Sequence, residues 1–211
     1  MKKTLAASFL CLTSAAAFAQ GYAGVVAALS SIDAGCNNQL SCDKKGRAFK
    51  LYAGANLAKD KQIDFGIGRL QAIEVSVIGF GKASSNGTTI LFNPDFVPSD
   101  PAAQITAATS QSRTANALTL AGVAKFPIMD EVAFVARGGV AYVSSTVRYY
   151  VQGGQNGSET STKLKPYLGL GFEFEAVKGL RVVGSYDWTR FDVVDQKGGL
   201  KALGVGAEVT F

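Results

Sequence analysis

The sequence is short of the residue types on which most catalytic sites depend. Its 211 residues include no histidine, three cysteines and five prolines. Without histidine, the chain cannot form a Ser–His or Cys–His pair for nucleophilic catalysis or a histidine-ligated metal site. We therefore expect no enzymatic activity, no cofactor and no bound metal.

Long hydrophobic runs are also missing beyond residue 20, so no membrane-spanning helix is predicted there. The preceding segment has the pattern of an export signal: Lys2 and Lys3, an apolar stretch, then Ala17-Phe18-Ala19 as a cleavage motif. The residues before Cys11 lack the small side chains of a lipoprotein site. We predict a signal peptide over residues 1–19, cleavage after Ala19 and one domain over residues 20–211.

The chain carries little excess charge of either sign. Its formal charge of +5 falls to +3 when Lys2 and Lys3 are removed with the signal peptide (5 − 2 = 3). So small an excess predicts no nucleic-acid partner. Cys36 and Cys42 lie close together in a polar segment. Because export leads to an oxidising compartment, they are predicted to form one disulfide that shapes a surface loop.

What the sequence does contain is alternation of apolar with polar or small residues at a period of two, which indicates strands with one apolar face. It is clearest from Leu164 to Ala176, where Glu173 and Glu175 share the face opposite the apolar residues. A first strand near Tyr22 to Ile32 has no clear facing. Seven segments alternate, the one from Leu164 to Ala176 included, with apolar positions that include Phe49, Leu51, Ile73, Val75, Leu118, Leu120, Val132, Phe134, Leu168, Leu170, Phe172, Leu180, Val182, Leu203, Val205 and Phe211.

The connections between these eight strands alternate in length. Short ones near residues 59–61, 127–130 and 177–179 alternate with long polar ones over 33–46, 84–112, 149–162 and 192–198. Short turns at one rim and long loops at the other are typical of a bacterial outer-membrane barrel. We predict an all-β, eight-stranded antiparallel up-and-down transmembrane β-barrel. Pairing of Ile63–Leu70 and Thr89–Phe92 would instead give ten strands, and Ala102–Ser110 could form a short helix.

A soluble lipocalin-like barrel is the alternative architecture, and it would point its apolar faces inward. The apolar faces here are rich in glycine and alanine, which fill a soluble core poorly but suit contact with lipid. Phe211 ends the chain in phase with the apolar positions of the last strand. These features favour the bacterial outer membrane, with its lipid as one partner. The barrel-assembly machinery, acting through the C-terminal strand, is the other predicted partner.

Four short motifs resemble the OmpA-like transmembrane domain family. Pro166–Phe174 and Tyr186–Thr189 resemble its last strands, Lys125–Ile128 its middle hairpin, and Ile73–Val75 its third strand. The resemblance implies an eight-stranded barrel with a polar interior, in which lumen carboxylates and basic residues pair into a plug. By position, the matching interior residues are Glu74, Arg137 and Glu173. Val123 stands where a basic partner is expected on the fourth strand.

Three classes of function follow. A structural, envelope-integrity role with a largely plugged polar lumen is favoured, because an eight-stranded barrel is barely wide enough for its own side chains. A narrow or gated channel for small solutes and adhesion or ligand capture by the long loops are the alternatives. No motif identifies a loop partner. Glu173 and Glu175 could be a catalytic carboxylate pair, but two lumen acids on one strand more often take part in ion pairs.

Overall fold

A computed structural model describes residues 21–33, 39–64, 66, 69–92, 104–153, 156–193 and 196–211, and nearly all of them lie in strands. Within these ranges, one 3-10 turn, Lys59–Lys61, interrupts the pattern. Among the described residues, no helix is long and apolar enough to cross a membrane. The strands are β1 (Gly21–Ile32), β2 (Gln39–Asp43), β3 (Lys45–Asn56), β4 (Ile63–Asp64), β5 (Arg69–Phe92), β6 (Gln104–Met129), β7 (Val132–Val151), β8 (Gly157–Val177), β9 (Leu180–Val193) and β10 (Gln196–Thr210).

Eight of these strands close into a ring in which all neighbours are antiparallel. The order is β1, β3, β5, β6, β7, β8, β9 and β10, and β10 pairs with β1 to complete the circle. The short strands β2 and β4 each pair with β5 without entering the ring. The eight-stranded prediction is therefore confirmed, and the ten-stranded alternative is wrong, because Ile63 and Asp64 form a small hairpin with the start of β5.

The register fixes how steeply the strands are tilted. Following hydrogen-bonded partners once around the ring from Gly21 returns to β1 at Ser31, ten residues further along (31 − 21 = 10). With about 3.3 Å per residue and about 4.8 Å between strands, this climb gives a tilt of about 40°. The path passes through Gly21, Ala55, Ile73, Gly122, Gly138, Leu168, Trp188, Lys201 and Ser31.

The apolar faces point outward and the charged faces point inward. In β8, Leu168, Leu170, Phe172 and Phe174 are exposed, whereas Glu173 is buried on the opposite face. This arrangement is the inverse of a soluble barrel, because large apolar side chains cover the outside and charges fill the bore. The membrane barrel predicted from the sequence is confirmed, and the soluble alternative is excluded.

The first strand, whose facing the sequence left open, is resolved by its neighbours. Tyr22 and Val26 are buried inside the barrel, and Val25 and Leu29 are exposed outside it. Each inward residue of β1 pairs with an inward residue of β3 and of β10, so the ring dictates the facing that β1 alone does not encode.

The long connections are shorter than predicted because the strands extend into them. β5 continues to Phe92 and β6 begins at Gln104, so the short helix predicted for Ala102–Ser110 is wrong from residue 104 onward. β9 likewise ends at Val193 and β10 begins at Gln196. The extensions of β5 and β6 carry serine and threonine on both faces, which strands tolerate in water. They therefore lack the apolar alternation by which the other strands were predicted.

Candidate functional site

Eight ionisable side chains from inward-facing strand positions meet in the half of the bore nearest the short turns. We call this set the lumen network. It contains four cations and four carboxylates, so its formal charges cancel (4 − 4 = 0). Its members are Lys50, Glu74, Lys125, Arg137, Glu173, Arg181, Asp187 and Glu208.

Glu74 is the most extensively bound carboxylate in the network. Nε of Arg137 donates to both of its oxygens, at 3.1 and 3.0 Å. Nζ of Lys50 lies 3.2 Å from Oε1, and the hydroxyl of Tyr22 donates to Oε2 at 3.3 Å. Burial strengthens these charge-assisted bonds, because little water competes for either partner.

Glu173 accepts its shortest bond from a lysine that the sequence did not identify as its partner. Nζ of Lys125 donates to Oε2 at 2.6 Å, Arg181 Nη1 lies at 3.5 Å, and Arg137 Nη2 lies 3.9 Å from Oε1. The expected position for a basic residue, Val123, is buried and apolar. Lys125 lies two residues further along β6 and therefore on the same inward face, one position nearer the turn.

The other two carboxylates depend on tyrosine hydroxyls as well as on cations. Asp187 lies 2.9 Å from Nζ of Lys50 and accepts a very short bond from the hydroxyl of Tyr167. Glu208 accepts a bond from the hydroxyl of Tyr52 at 3.1 Å, and Arg181 lies 3.2 Å away.

Of the network residues, the sequence identified three. The structure brings Glu74, Arg137 and Glu173 together as the family resemblance implied, with Arg137 between the two carboxylates. Lys50, Arg181, Asp187 and Glu208 were recognisable only as charges on the polar faces of their strands. Their pairing could not be predicted, because it joins residues as far apart in sequence as Lys50 and Asp187.

Above the network, towards the long loops, the bore is filled by apolar side chains. We call these the apolar seal, and none of them was predicted as a lumen plug. The interior therefore combines a charged lower half with an upper half that is mainly apolar but also buries Ser30, Arg113 and Ser145. The seal is formed mainly by Ile32, Ile78, Phe80, Val143, Phe191 and Leu200, all buried in one cluster.

Below the network, the bore opens into a cavity of about 1010 Å³ at the end of the barrel that carries the short turns. Lys125, Glu173 and Arg181 form its floor together with backbone from the turns. At the same rim, the carboxylate of Asp64 accepts a hydrogen bond from the backbone N–H of Gly66 and one from Arg69. These donors hold the pKa of Asp64 below its usual range. The cavity leads inward from this rim and ends at the lumen network.

The remaining predicted residues lie at the margins. Cys42 lies in β2 and is disulfide-bonded, whereas Cys36 lies outside the described residues, so their pairing stays a prediction. The cleavage residue Ala19 also lies outside them. Phe211 follows β10, and its backbone N–H donates to the carbonyl of Gly21 at 3.0 Å.

The part of the chain that the structure describes offers cysteine, aspartate and glutamate side chains as candidate metal ligands. No group of three or more Cys, Asp or Glu side chains there is placed to hold a metal ion. Glu173 and Glu175 both contact Arg181, at 3.5 and 3.8 Å, at the edge of the cavity below the network.

An eight-stranded barrel that is apolar outside and ion-paired inside is a small outer-membrane β-barrel protein. The sequence matches the OmpA-like transmembrane domain over residues 16–201. The chain therefore belongs to the OmpA-like transmembrane domain family, and its location is the bacterial outer membrane.

Solved structures of outer-membrane barrels are similar to this chain. Ail, the attachment invasion locus protein of Yersinia pestis, is 15% identical, with 90% of this chain and 99% of Ail covered and a TM-score of 0.50. Neisserial surface protein A is 12% identical, with 90% and 97% covered and a TM-score of 0.46. The N-terminal β-barrel domain of Pseudomonas aeruginosa OprF is 10% identical, with 90% and 97% covered and a TM-score of 0.45. At these identities the likeness concerns the fold alone. No curated protein sequence matches the chain.

Proposed function

We propose that this protein is a closed barrel with a structural, envelope-integrity role, and that it does not conduct solutes. The observation that carries the proposal is that two barriers lie in series along one narrow bore. The apolar seal fills the half near the long loops, and the lumen network fills the half near the short turns. A solute would have to displace both.

The lumen network resists opening for an electrostatic reason. Glu74, Arg137 and Glu173 are each 3% exposed or less, so separating them would leave charges with little water to replace their partners. Breaking one buried pair typically costs about 3–5 kcal/mol. The longest contact of the network joins Arg137 Nη2 to Glu173 Oε1 at 3.9 Å, and neither this oxygen nor Arg137 Nη1 has a hydrogen-bond partner among the described residues.

The apolar seal resists ion passage independently of the network. Phe80 and Leu200 are fully buried within it, and Phe191 is nearly so. An ion would lose its hydration shell against these side chains and gain no polar contact in return. The narrow-channel alternative therefore requires both barriers to move together.

Conductance in a planar lipid bilayer tests the proposal. The purified barrel should produce no steady conductance steps, whereas a sixteen-stranded porin in the same bilayer should conduct and show that the assay is sensitive. Removing the barrel from the producing cell should increase uptake of a hydrophobic fluorescent dye, and the wild-type chain should restore the barrier. Steady unit conductance from the purified wild type would contradict the closed-barrel proposal.

A second candidate function, adhesion or ligand capture, is favoured by a sheet that projects beyond the ring. β7 and β8 stay paired up to Tyr149 and Gly157, but β9 joins β8 only from Leu168 downward. The projecting part exposes Tyr149 and Tyr150, two large aromatic side chains of the kind that contribute most to protein interfaces. Cells with this hairpin shortened to a tight turn should lose adhesion to host-cell monolayers while keeping a folded barrel. Unchanged adhesion would exclude this candidate.

A further inference from the structure

A groove of about 880 Å³ crosses the outside of the barrel on strands β8, β9, β10, β1 and β3. Gly184 and Ala27 form its floor, and Leu29, Leu203 and Tyr186 form its upper wall. A Cβ added to Gly184 would meet no atom within 4 Å, so the floor is open space rather than a close strand contact. Because these are outward positions in the apolar band, the groove faces the hydrocarbon of the membrane.

Arg47 lines this otherwise apolar groove and is exposed on the same outward face. It belongs to a set of three outward cations that we call the cationic arc: Arg47 on β3, Lys201 on β10 and Arg190 on β9. Within the described ranges, none of the three lies within ion-pair distance of a carboxylate, unlike Lys163 and Lys165, which both contact Asp192. Arg190 instead stacks over Trp188, 5.3 Å from the ring centroid.

The three cations lie at one level of the membrane. Trp188, Lys201, Ser31 and Lys45 are successive hydrogen-bonded partners across β9, β10, β1 and β3. This row is not level. From each strand to the next it rises towards the long loops by the length of about 1.25 residues (10/8), because the register climbs ten residues around eight strands. Arg47, two residues below Lys45, therefore lies almost level with Arg190, which is two residues above Trp188. Lys201 lies only slightly lower.

That level is the outer membrane–water interface. Trp188 marks it, because tryptophan concentrates where hydrocarbon meets head groups. The long connections lie on the same side, which in outer-membrane barrels is the cell exterior. Two strand spacings and an offset of two residues, about 12 Å in all, separate Arg47 from Lys201, so both long side chains can reach one anionic group between them.

We propose that the groove and the cationic arc together bind one phosphorylated lipid of the outer leaflet. An acyl chain lies in the groove over Gly184 and Ala27, and the lipid phosphate is held by Arg47 and Lys201, with Arg190 beside it. The charges are complementary, and the apolar groove leads directly from the cations into the hydrocarbon. The proposal does not depend on whether the bore conducts.

Native mass spectrometry of the detergent-purified barrel tests this with lipid A as the probe, a phosphorylated and acylated glucosamine disaccharide. The wild type should retain lipid A in preference to phosphatidylethanolamine and to dephosphorylated lipid A. Arg47→Gln and Lys201→Gln should each lower retention by about 5-fold, the effect of one basic side chain at an anionic lipid surface. Gly184→Leu should lower retention by filling the groove without changing the charge.

Two matched variants separate a specific site from general attraction. Gly138→Leu adds the same side chain at another outward glycine with open space, away from the groove. Arg148→Gln removes an exposed cation from the projecting part of β7. Both should retain lipid A as the wild type does, and heat-modifiable migration on gels should show that every variant is folded. Equal loss in Arg148→Gln and Arg47→Gln would overturn the site, as would full retention in Gly184→Leu or equal retention of the dephosphorylated lipid.

Discussion

At the scale of single residues, the interior of this barrel is stabilised by charges that are individually costly to bury. Glu74 is fully buried, yet Arg137, Lys50 and Tyr22 all direct donors at it. A carboxylate in such a place contributes stability only while its partners remain, because water cannot replace them quickly or fully. A few side chains therefore account for much of the stability of the bore, and removing one of them leaves several others without a partner.

Glu74→Gln should destabilise the folded barrel by about 3–5 kcal/mol, because Arg137 and Lys50 would lose their shared counter-charge. Urea unfolding from lipid vesicles measures the change. Glu175→Gln is the matched control: among the described residues, the Glu175 side chain makes one ion pair, 3.8 Å from Arg181, and it is 37% exposed. Pairs this exposed are worth at most about 1 kcal/mol. Equal effects of the two substitutions would argue against a tightly coupled lumen network.

At the scale of elements, β8 passes through two environments along its 21 residues. From Leu168 downward it pairs on both sides and alternates between lipid and lumen. Above Pro166 it pairs only with β7 and extends beyond the membrane. The same outward face is therefore covered by hydrocarbon in one half of the strand and by water in the other.

Leu170→Arg and Leu164→Arg should lower the free energy of unfolding by different amounts, because the two positions lie in these two environments. Both replace an outward leucine on the same strand with a charge. Leu170 faces the middle of the bilayer, where arginine costs about 2–4 kcal/mol, whereas Leu164 lies at or above the interface, where the cost is about 0–1 kcal/mol. Unfolding in lipid vesicles compares them. Equal costs would mean that the membrane band does not end between residues 164 and 170.

The inward neighbour of Leu170 is not a useful control. A Cβ on Gly171 would lie 2.6 Å from the backbone oxygen of Gly184, so any side chain there must push two strands apart. A glycine at this position is required by the close approach of β8 and β9.

At the scale of the whole molecule, the barrel closes where the two ends of the described chain meet. β1 pairs with β10 along its length, and the carbonyl of Gly21 accepts the backbone N–H of Phe211. Closure leaves no strand edge inside the membrane, which is required because lipid cannot hydrogen-bond to the backbone. The first and last strands therefore must both be complete before the fold is stable.

The position of this seam is relevant to removal of the signal peptide, which stays a prediction. With cleavage after Ala19, only Gln20 would precede the first residue of the seam, so the mature chain would enter the ring almost at once. N-terminal sequencing of protein from the outer membrane should give Gln20. A mature chain that retains Met1, or that is lipidated at Cys11, would contradict the predicted signal peptide.

The sequence alone determined the architecture, because alternation with period two is a local property that each strand carries by itself. It placed Leu170 and Phe172 on one face and Glu173 on the other, and the membrane barrel followed from seven such segments and a first strand whose facing only the ring decides. It failed where that signal is absent. The serine- and threonine-rich upper parts of β5 and β6 have two polar faces, and the sequence instead predicts one long loop over residues 84–112, in which Ala102–Ser110 could form a short helix.

Only the tertiary structure decided which inward charges meet. The sequence shows that Val123 and Lys125 share a face, but it does not show that Lys125, rather than a residue at position 123, reaches Glu173 from β8. Which residue reaches Glu173 depends on the ten-residue climb of the register. The climb offsets each strand from the next and so sets the height of every side chain in the bore. The apolar seal and the alignment of Arg47, Lys201 and Arg190 have the same origin. The offset in register is a property of the closed ring, because it is defined only by how neighbouring strands pair and not by any one strand.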